Sequence, residues 1–350
     1  MKNLTWQNPE QLFVAQELIN KVKSKCCGIK VFLICLWHVN GHFLPLVPNE
    51  TNHTAGIINN ITPYLTFHVD LFVMITGYFG VRNSAKGVIK TCSLVIFYSL
   101  ILGLTINCLG KDSLKWSYLL PFSGSSWWFM QVYLVLLLIA PFFEMYIQQA
   151  SKKGLLSILC VTSFINIYLG WFRHMPLYDH HGYCIFNFLN LYIIGRWLHT
   201  EGRLANKLKQ NIYLPLVVFV LCCAIRYKVQ PVTEWNWWDY SSPLNIAMAV
   251  CVFSLFLRLH VSTLLTKPVL ALSSSAVAVY LITDYKGCYE YLGTLLTVFM
   301  KHGNSAICQF FLIVAFVTFV FLCCCLFDKL RIMLTTPLDR FIYSKIEKYV

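Results

Sequence analysis

SAICQFFLIVAFVTFVFLCCCLF (305–327) runs for 23 residues without one charged side chain. A membrane-spanning helix needs about 20 mostly apolar residues, and this stretch supplies them. Nine more stretches read the same way: 28–46, 62–81, 91–109, 127–147, 155–172, 184–199, 211–226, 243–260 and 268–285. Two of them, 184–199 and 211–226, are short. The run YLGTLLTVFM (291–300) is too short to span and reads as interfacial or re-entrant. The expected fold is therefore an all-α, polytopic transmembrane helical bundle of about ten spanning helices.

Composition agrees. Of 350 residues, 57 % are hydrophobic and only 12 % charged, and mean hydropathy is +0.61. Soluble proteins carry about 25 % charged residues. So few charges cannot cover a water-facing surface, which excludes a soluble enzyme; abundant apolar material excludes intrinsic disorder. The net charge is +13, but the cations lie between apolar segments rather than in a basic stripe with exposed aromatics, which argues against nucleic acid. With both termini placed inside, the inner segments hold 21 Lys and Arg and the outer segments 7, as the positive-inside rule expects. The 15 cysteines show no zinc-type CxxC spacing and read as small packing residues, with lipidation of Cys26 or Cys27 the alternative.

Three regions follow. Residues 1–27 carry Glu10 and Glu17 and lack an apolar core, so they read as a cytoplasmic amphipathic segment on the membrane surface rather than a cleavable signal peptide. Residues 28–327 form the transmembrane domain, and 328–350 a basic cytoplasmic tail. The expected outer loops, including KWSYLLPFSGSSWW (115–128), RHMPLYDHHGY (173–183) and EWNWWDYSS (234–242), are rich in Trp, Tyr, His, Asn and Asp. An interfacial aromatic belt accounts for part of this. Stacking and hydrogen bonding to a saccharide is the other reading.

An ionisable group inside a span costs about 2.5–3.5 kcal/mol to insert, so each one is a functional candidate. His38 lies about 15 Å along the first span at 1.5 Å per residue. His42, four residues on, shares its face. The second span runs back and carries His68 and Asp70, which puts Asp70 near the depth of His38. A histidine beside a carboxylate suits a general base; a core histidine bonded to a backbone carbonyl is the plainer reading. His38 and His42 with His68 as third ligand would make a metal site, but nothing marks His68 for that role and no metal is expected. Lys30, Arg82, Lys86, Lys90 and Arg196 sit at expected inner ends of spans, where they suit the phosphates of a nucleotide-like cofactor or anionic lipid. Arg82 and Arg196 are the strongest of these, because each closes a span with polar residues.

The segments IKVFLICLWHVNG (29–41), FHVDLFVMITGYFG (67–80), WWFMQVYLVLLLIAPFF (127–143), HHGYCIFNFLNLYIIGRWL (180–198) and SSAVAVYLITD (274–284) stand in this order along the chain. Together they resemble the acyltransferase family 3 of membrane-bound O-acyltransferases. The resemblance implies a ten-helix bundle that takes acetyl-CoA from the cytoplasm as acyl donor. It implies acceptor hydroxyls on saccharides or lipid-linked saccharides of the cell envelope, such as lipopolysaccharide, capsule or exopolysaccharide, and hence a bacterial cytoplasmic (inner) membrane. By position, His38 is then the catalytic histidine with Asp70 opposite. Lys30, Arg82 and Arg196 would contact the donor, and His42, His68, Trp128, Tyr133 and Asp284 the acceptor side. Tyr133, Thr76 or a backbone N–H would stabilise the oxyanion. Two positions depart from the family pattern. Cys27 stands where the family has an arginine, and Thr283 stands where "Y-L-I-H" has its histidine, while Asp284 remains. The competing class is a transporter or flippase of a lipid-linked saccharide, disfavoured by the lack of an internal repeat.

Overall fold

The structure is a computed structural model and describes residues 34–81, 84–110, 116–120, 122, 127–178, 181–200, 203–258, 272 and 274–346. Residues 1–27, Lys30 and Arg82 lie outside the described residues. The described residues are helical, with no strand among them. Five helical stretches among them are long and apolar enough to cross a membrane: Ala85–Cys108, Trp128–Gln149, Lys152–Phe172, Tyr213–Val232 and Ala306–Lys345. Their outward faces are apolar. Leu216, Val217, Val220 and Leu221 on one of them, and Phe311, Phe319, Leu322 and Leu326 on another, are all exposed. That is the reverse of a water-soluble surface, and it fits a hydrocarbon solvent.

Inside these lie shorter helices: His68–Phe79, Ile185–His199, Pro243–Arg258 and Ala276–Asp284. Ile185–His199 is buried nearly all round, including Asn187 and Asn190, as a helix at the centre of a bundle must be. It packs backbone to backbone on His68–Phe79. A Cβ on Gly77 would meet the Tyr192 carbonyl oxygen at 2.1 Å, and one on Gly195 would meet the Met74 carbonyl oxygen at 2.3 Å. Glycine at both positions lets the two helices approach more closely than any side chain allows, the small-residue device of membrane helix pairs.

Local signals place the ends. Ser151 caps the helix Lys152–Ser163, its hydroxyl accepting from the Gly154 N–H at 3.1 Å. Extended backbone at Tyr285 (ψ 126°) stops Ala276–Asp284 and starts a new helix, Lys286–Met300. The chain after His38 loosens into a π-helical turn, Val39–Phe43, before a short 3-10 turn containing Pro45. Such turns recur at functional sites.

Two boundaries differ from expectation. The run 291–300 belongs to the 15-residue helix Lys286–Met300, which buries Gly287, Gly293, Leu296 and Met300 inside the bundle. The last helix does not stop near 327 but continues to Ile346. It can do so because the charges at the junction are matched: Arg331 Nε donates to Asp328 Oδ1 at 2.6 Å, and the Tyr98 hydroxyl donates to the same oxygen at 3.0 Å.

Gly77→Ala forces the central pair apart and is expected to lower stability by about 1–3 kcal/mol, the usual cost of overpacking. Gly56→Ala, where the added methyl meets nothing within 4 Å, is the control. Thermal unfolding midpoints of the two variants in detergent check this.

Candidate active site

His38 is 4 % exposed. Its Nδ1 lies 2.7 Å from the Thr283 hydroxyl oxygen. That hydroxyl also contacts the Val279 carbonyl at 2.8 Å. A carbonyl can only accept, so the single Thr283 proton goes to Val279. His38 Nδ1 must then carry a proton and donate it to Thr283. The hydrogen-bond pattern thus selects one tautomer and leaves the Nε2 lone pair free. Nε2 lies 3.9 Å from Asp284 Oδ1. The same carboxylate oxygen accepts from His42 Nε2 at 2.9 Å, and the His42 ring stacks on Tyr289 at 4.7 Å. Asp284 is therefore held by His42 beside the basic face of His38.

Helix geometry brings these groups together. His38 and His42 are one turn apart, with ring centroids 5.3 Å apart. Tyr280 and Asp284 are likewise one turn apart on the facing helix, and the Tyr280 ring lies 5.8 Å from His38. Together they border a cavity of about 320 Å³, lined also by His68, Phe72, Trp128, Phe129, Tyr183, Tyr240 and Val277. One side of it is an aromatic wall. Trp128 packs edge-on against Tyr183 at 4.3 Å and stacks on Tyr240 at 5.7 Å.

The loops that supply those tyrosines are pinned to each other. The Tyr240 N–H donates to the His181 carbonyl at 3.1 Å, and the Trp171 indole donates to the Asn236 carbonyl at 2.9 Å. His181 Nδ1 meets Asp239 Oδ2 at 3.1 Å. Burial, reinforced by the neighbouring Tyr183, Asp70, Asp284 and Asp239, pushes the Tyr240 hydroxyl well above its ordinary range. It stays a neutral donor. The sequence flagged both loops for their aromatic content but had no means of pairing Tyr183 and Tyr240 with Trp128.

The structure redistributes the expected residues. Asp70, 0 % exposed, does not pair with His38. Its Oδ2 accepts from Asn245 Nδ2 at 2.8 Å, Asn245 Oδ1 accepts from Thr66 at 2.7 Å, and Thr66 Oγ1 accepts from Arg226 at 3.1 Å. The reason is helical phase. At about 100° per residue, Asp70 points roughly 200° away from His68, and His68 and Phe72 take the cavity side. Asp284 supplies the carboxylate instead. His68 Nδ1 donates to the Leu65 carbonyl at 2.7 Å. The three potential ligand groups that converge, within 4.8 Å, are His38, His42 and Asp284 rather than a set with His68. Trp128 lines the His38 cavity. Tyr133 does not: its hydroxyl meets Thr76 Oγ1 at 3.1 Å, and its ring borders a second cavity.

Arg196, expected to meet the donor, spends its charge inside the protein. Its Nε lies 3.0 Å from Glu144 Oε1, and the Tyr192 hydroxyl donates to that oxygen at 2.6 Å. Lys90, among the basic candidates, lines the second cavity of about 250 Å³, together with Arg331, Thr91, Ser274, Thr335 and Thr336.

A buried histidine thus lies beside a paired carboxylate, in a cavity within an apolar helical bundle. The acyltransferase domain family matches residues 28–333, so the chain belongs to that family and is a membrane acyltransferase. No curated protein and no solved structure matches it.

Removing one member of the Glu144–Arg196 pair strands a largely buried charge, which is expected to cost about 3 kcal/mol. Glu144→Leu and Arg196→Leu should each lower the thermal midpoint, and the double substitution should recover most of the loss. Full stability of Arg196→Leu alone would return Arg196 to the donor-binding set.

Proposed function

We propose that the protein transfers an acetyl group from cytoplasmic acetyl-CoA to a hydroxyl of a cell-envelope saccharide, in a bacterial inner membrane. In this reading ten spans place both termini in the cytoplasm. The observation that carries it is the set of contacts at His38: Nδ1 lies against a Thr283 hydroxyl whose proton goes to Val279, and Nε2 lies beside Asp284 on a residue that lines the cavity. The aromatic wall of Trp128, Tyr183 and Tyr240 supports a saccharide acceptor, since apolar sugar faces stack on such rings while the hydroxyls need polar partners.

The thioester supplies an activated acyl carbon. His38 Nε2 takes the proton of the acceptor hydroxyl as its oxygen bonds to that carbon, and Asp284 stabilises the imidazolium that results. As the carbon–sulfur bond breaks, His38 returns the proton to the departing thiolate, which leaves enzyme and proton count unchanged. His42 keeps Asp284 oriented. Thr283, where the family pattern has a histidine, holds the His38 ring and its tautomer. Tyr280, beside His38, offers its hydroxyl to the charge that develops on the carbonyl oxygen. The steps of this reading use no metal; His38, His42 and Asp284, whose ligand atoms lie within 4.8 Å of one another, are the residues that would hold one.

Mass spectrometry of saccharide from cells carrying wild type, His38→Ala or no gene tests the reading. An acetyl increment seen with wild type alone is the expected result. Unmodified saccharide of altered abundance in all three would instead indicate export or assembly. His38→Ala should lose about 10²–10⁴-fold in rate. Thr283→Val, which keeps shape but removes the acceptor for Nδ1–H, should lose about 10–100-fold, chiefly in kcat, as is usual when a group that orients a histidine is removed. Activity should survive dialysis against EDTA; loss restored by zinc would make His38, His42 and Asp284 metal ligands.

A further inference from the structure

The two cavities share two lining residues, Phe72 and Val277. Every other residue belongs to one side or the other. The His38 cavity takes Phe129 from the helix Trp128–Gln149, and the second takes Met130 and Tyr133 from the same helix. Phe72 sits between these, its ring edge-on to Phe129 at 5.2 Å and to Tyr133 at 5.3 Å. Val277 approaches from the helix Ala276–Asp284, which also carries Tyr280, Thr283 and Asp284. One phenylalanine and one valine thus form the partition between the base and a second, differently lined chamber. The His38 side is aromatic and histidine-rich. The other side offers Lys90 and the hydroxyls of Thr91, Ser274, Thr335 and Thr336, with Asp339 also on its wall and Arg331 tied to Asp328, a polar lining that suits an amide-bearing, phosphorylated arm better than a hydrocarbon chain.

We propose that the second cavity holds the arm of the thioester donor and that Phe72 and Val277 select the acyl group by its length. This rests on the acyl-transfer reading above. The reacting carbon must reach the Nε2 face of His38 while the arm stays with Lys90, so the acyl group has to pass between the two side chains. A short group fits when the Phe72 ring turns aside. A longer chain would have to occupy the space the acceptor hydroxyl needs, or displace the ring from Phe129 and Tyr133. In a close-packed apolar passage each methylene too many costs about tenfold or more in discrimination.

Binding separates this from the chemistry. Wild type, Phe72→Ala, Val277→Phe and Lys90→Gln proteins, purified in detergent, are titrated with free CoA and with non-transferable thioether analogues bearing acetyl, butyryl and octanoyl mimics. Wild type should bind the acetyl mimic about tenfold or more tightly than the octanoyl mimic. Phe72→Ala should recover about that factor for octanoyl while binding the acetyl mimic as before. Val277→Phe should weaken the acetyl mimic by about tenfold and leave free CoA unchanged. Lys90→Gln should weaken every ligand alike, because it touches the arm and not the acyl group. If Phe72→Ala does not fold, Phe72→Leu carries the same expectation in smaller measure. A wild type that binds all chain lengths equally, or a folded Phe72 variant with the wild-type order, overturns the selection. Unchanged binding by Lys90→Gln overturns the placement of the arm. If wild type binds neither CoA nor any mimic, the acetyl-CoA reading itself fails and takes this one with it.

Discussion

A polar or ionisable group in an apolar bundle has no water to answer it, and the helices are arranged around that constraint. Glu144 meets Arg196 and Tyr192, and Asp328 meets Arg331 and Tyr98. Asp70 is tied through Asn245 and Thr66 to Arg226. Each set joins helices far apart in the chain, so satisfying the charge also fixes the packing. A pair of this kind adds little over an apolar core but is costly to break. It therefore acts more to select one arrangement of helices than to add net stability.

The site follows the same rule with one difference. Asp284 has its partner in His42, yet His38 keeps a ring nitrogen that makes no hydrogen bond among the described residues, and its side chain borders a cavity. Thr283 makes this possible, because its only proton is already given to the backbone. A histidine at that position, as in the family pattern, would present two ring nitrogens and a different choice of tautomers. The departure from the pattern thus changes how the His38 ring is held.

Much of the class was legible in the primary structure. Long uncharged runs leave a chain no option but a hydrocarbon environment, and the family match over residues 28–333 agrees with the motifs read along it. His38 is a candidate from the sequence because an ionisable group ten residues into an apolar run is costly to insert. That Asp70 lies away from His38 has a definite cause. Depth along a helix can be counted from the sequence, but azimuth depends on where the helix starts and on what it packs against. His68–Phe79 turns His68 and Phe72 toward His38, and Asp70 toward Pro243–Arg258. The partner of Arg196 is hidden for a related reason: a cation at the end of a span shows nothing in the sequence of Glu144, 52 positions earlier in the chain, which lies against it.

The order of amino acids by itself determined that the chain is an apolar helical bundle and that it shares the motifs of an acyltransferase family, because hydropathy and composition are local properties summed along the chain. The tertiary structure alone decided that Asp284 rather than Asp70 attends His38, that Thr283 sets its tautomer, and that Phe72 and Val277 stand between two cavities. Those relations join residues more than 200 positions apart. They depend on helix rotation and on the close approach that Gly77 and Gly195 permit, and neither is written in the spacing of any one segment.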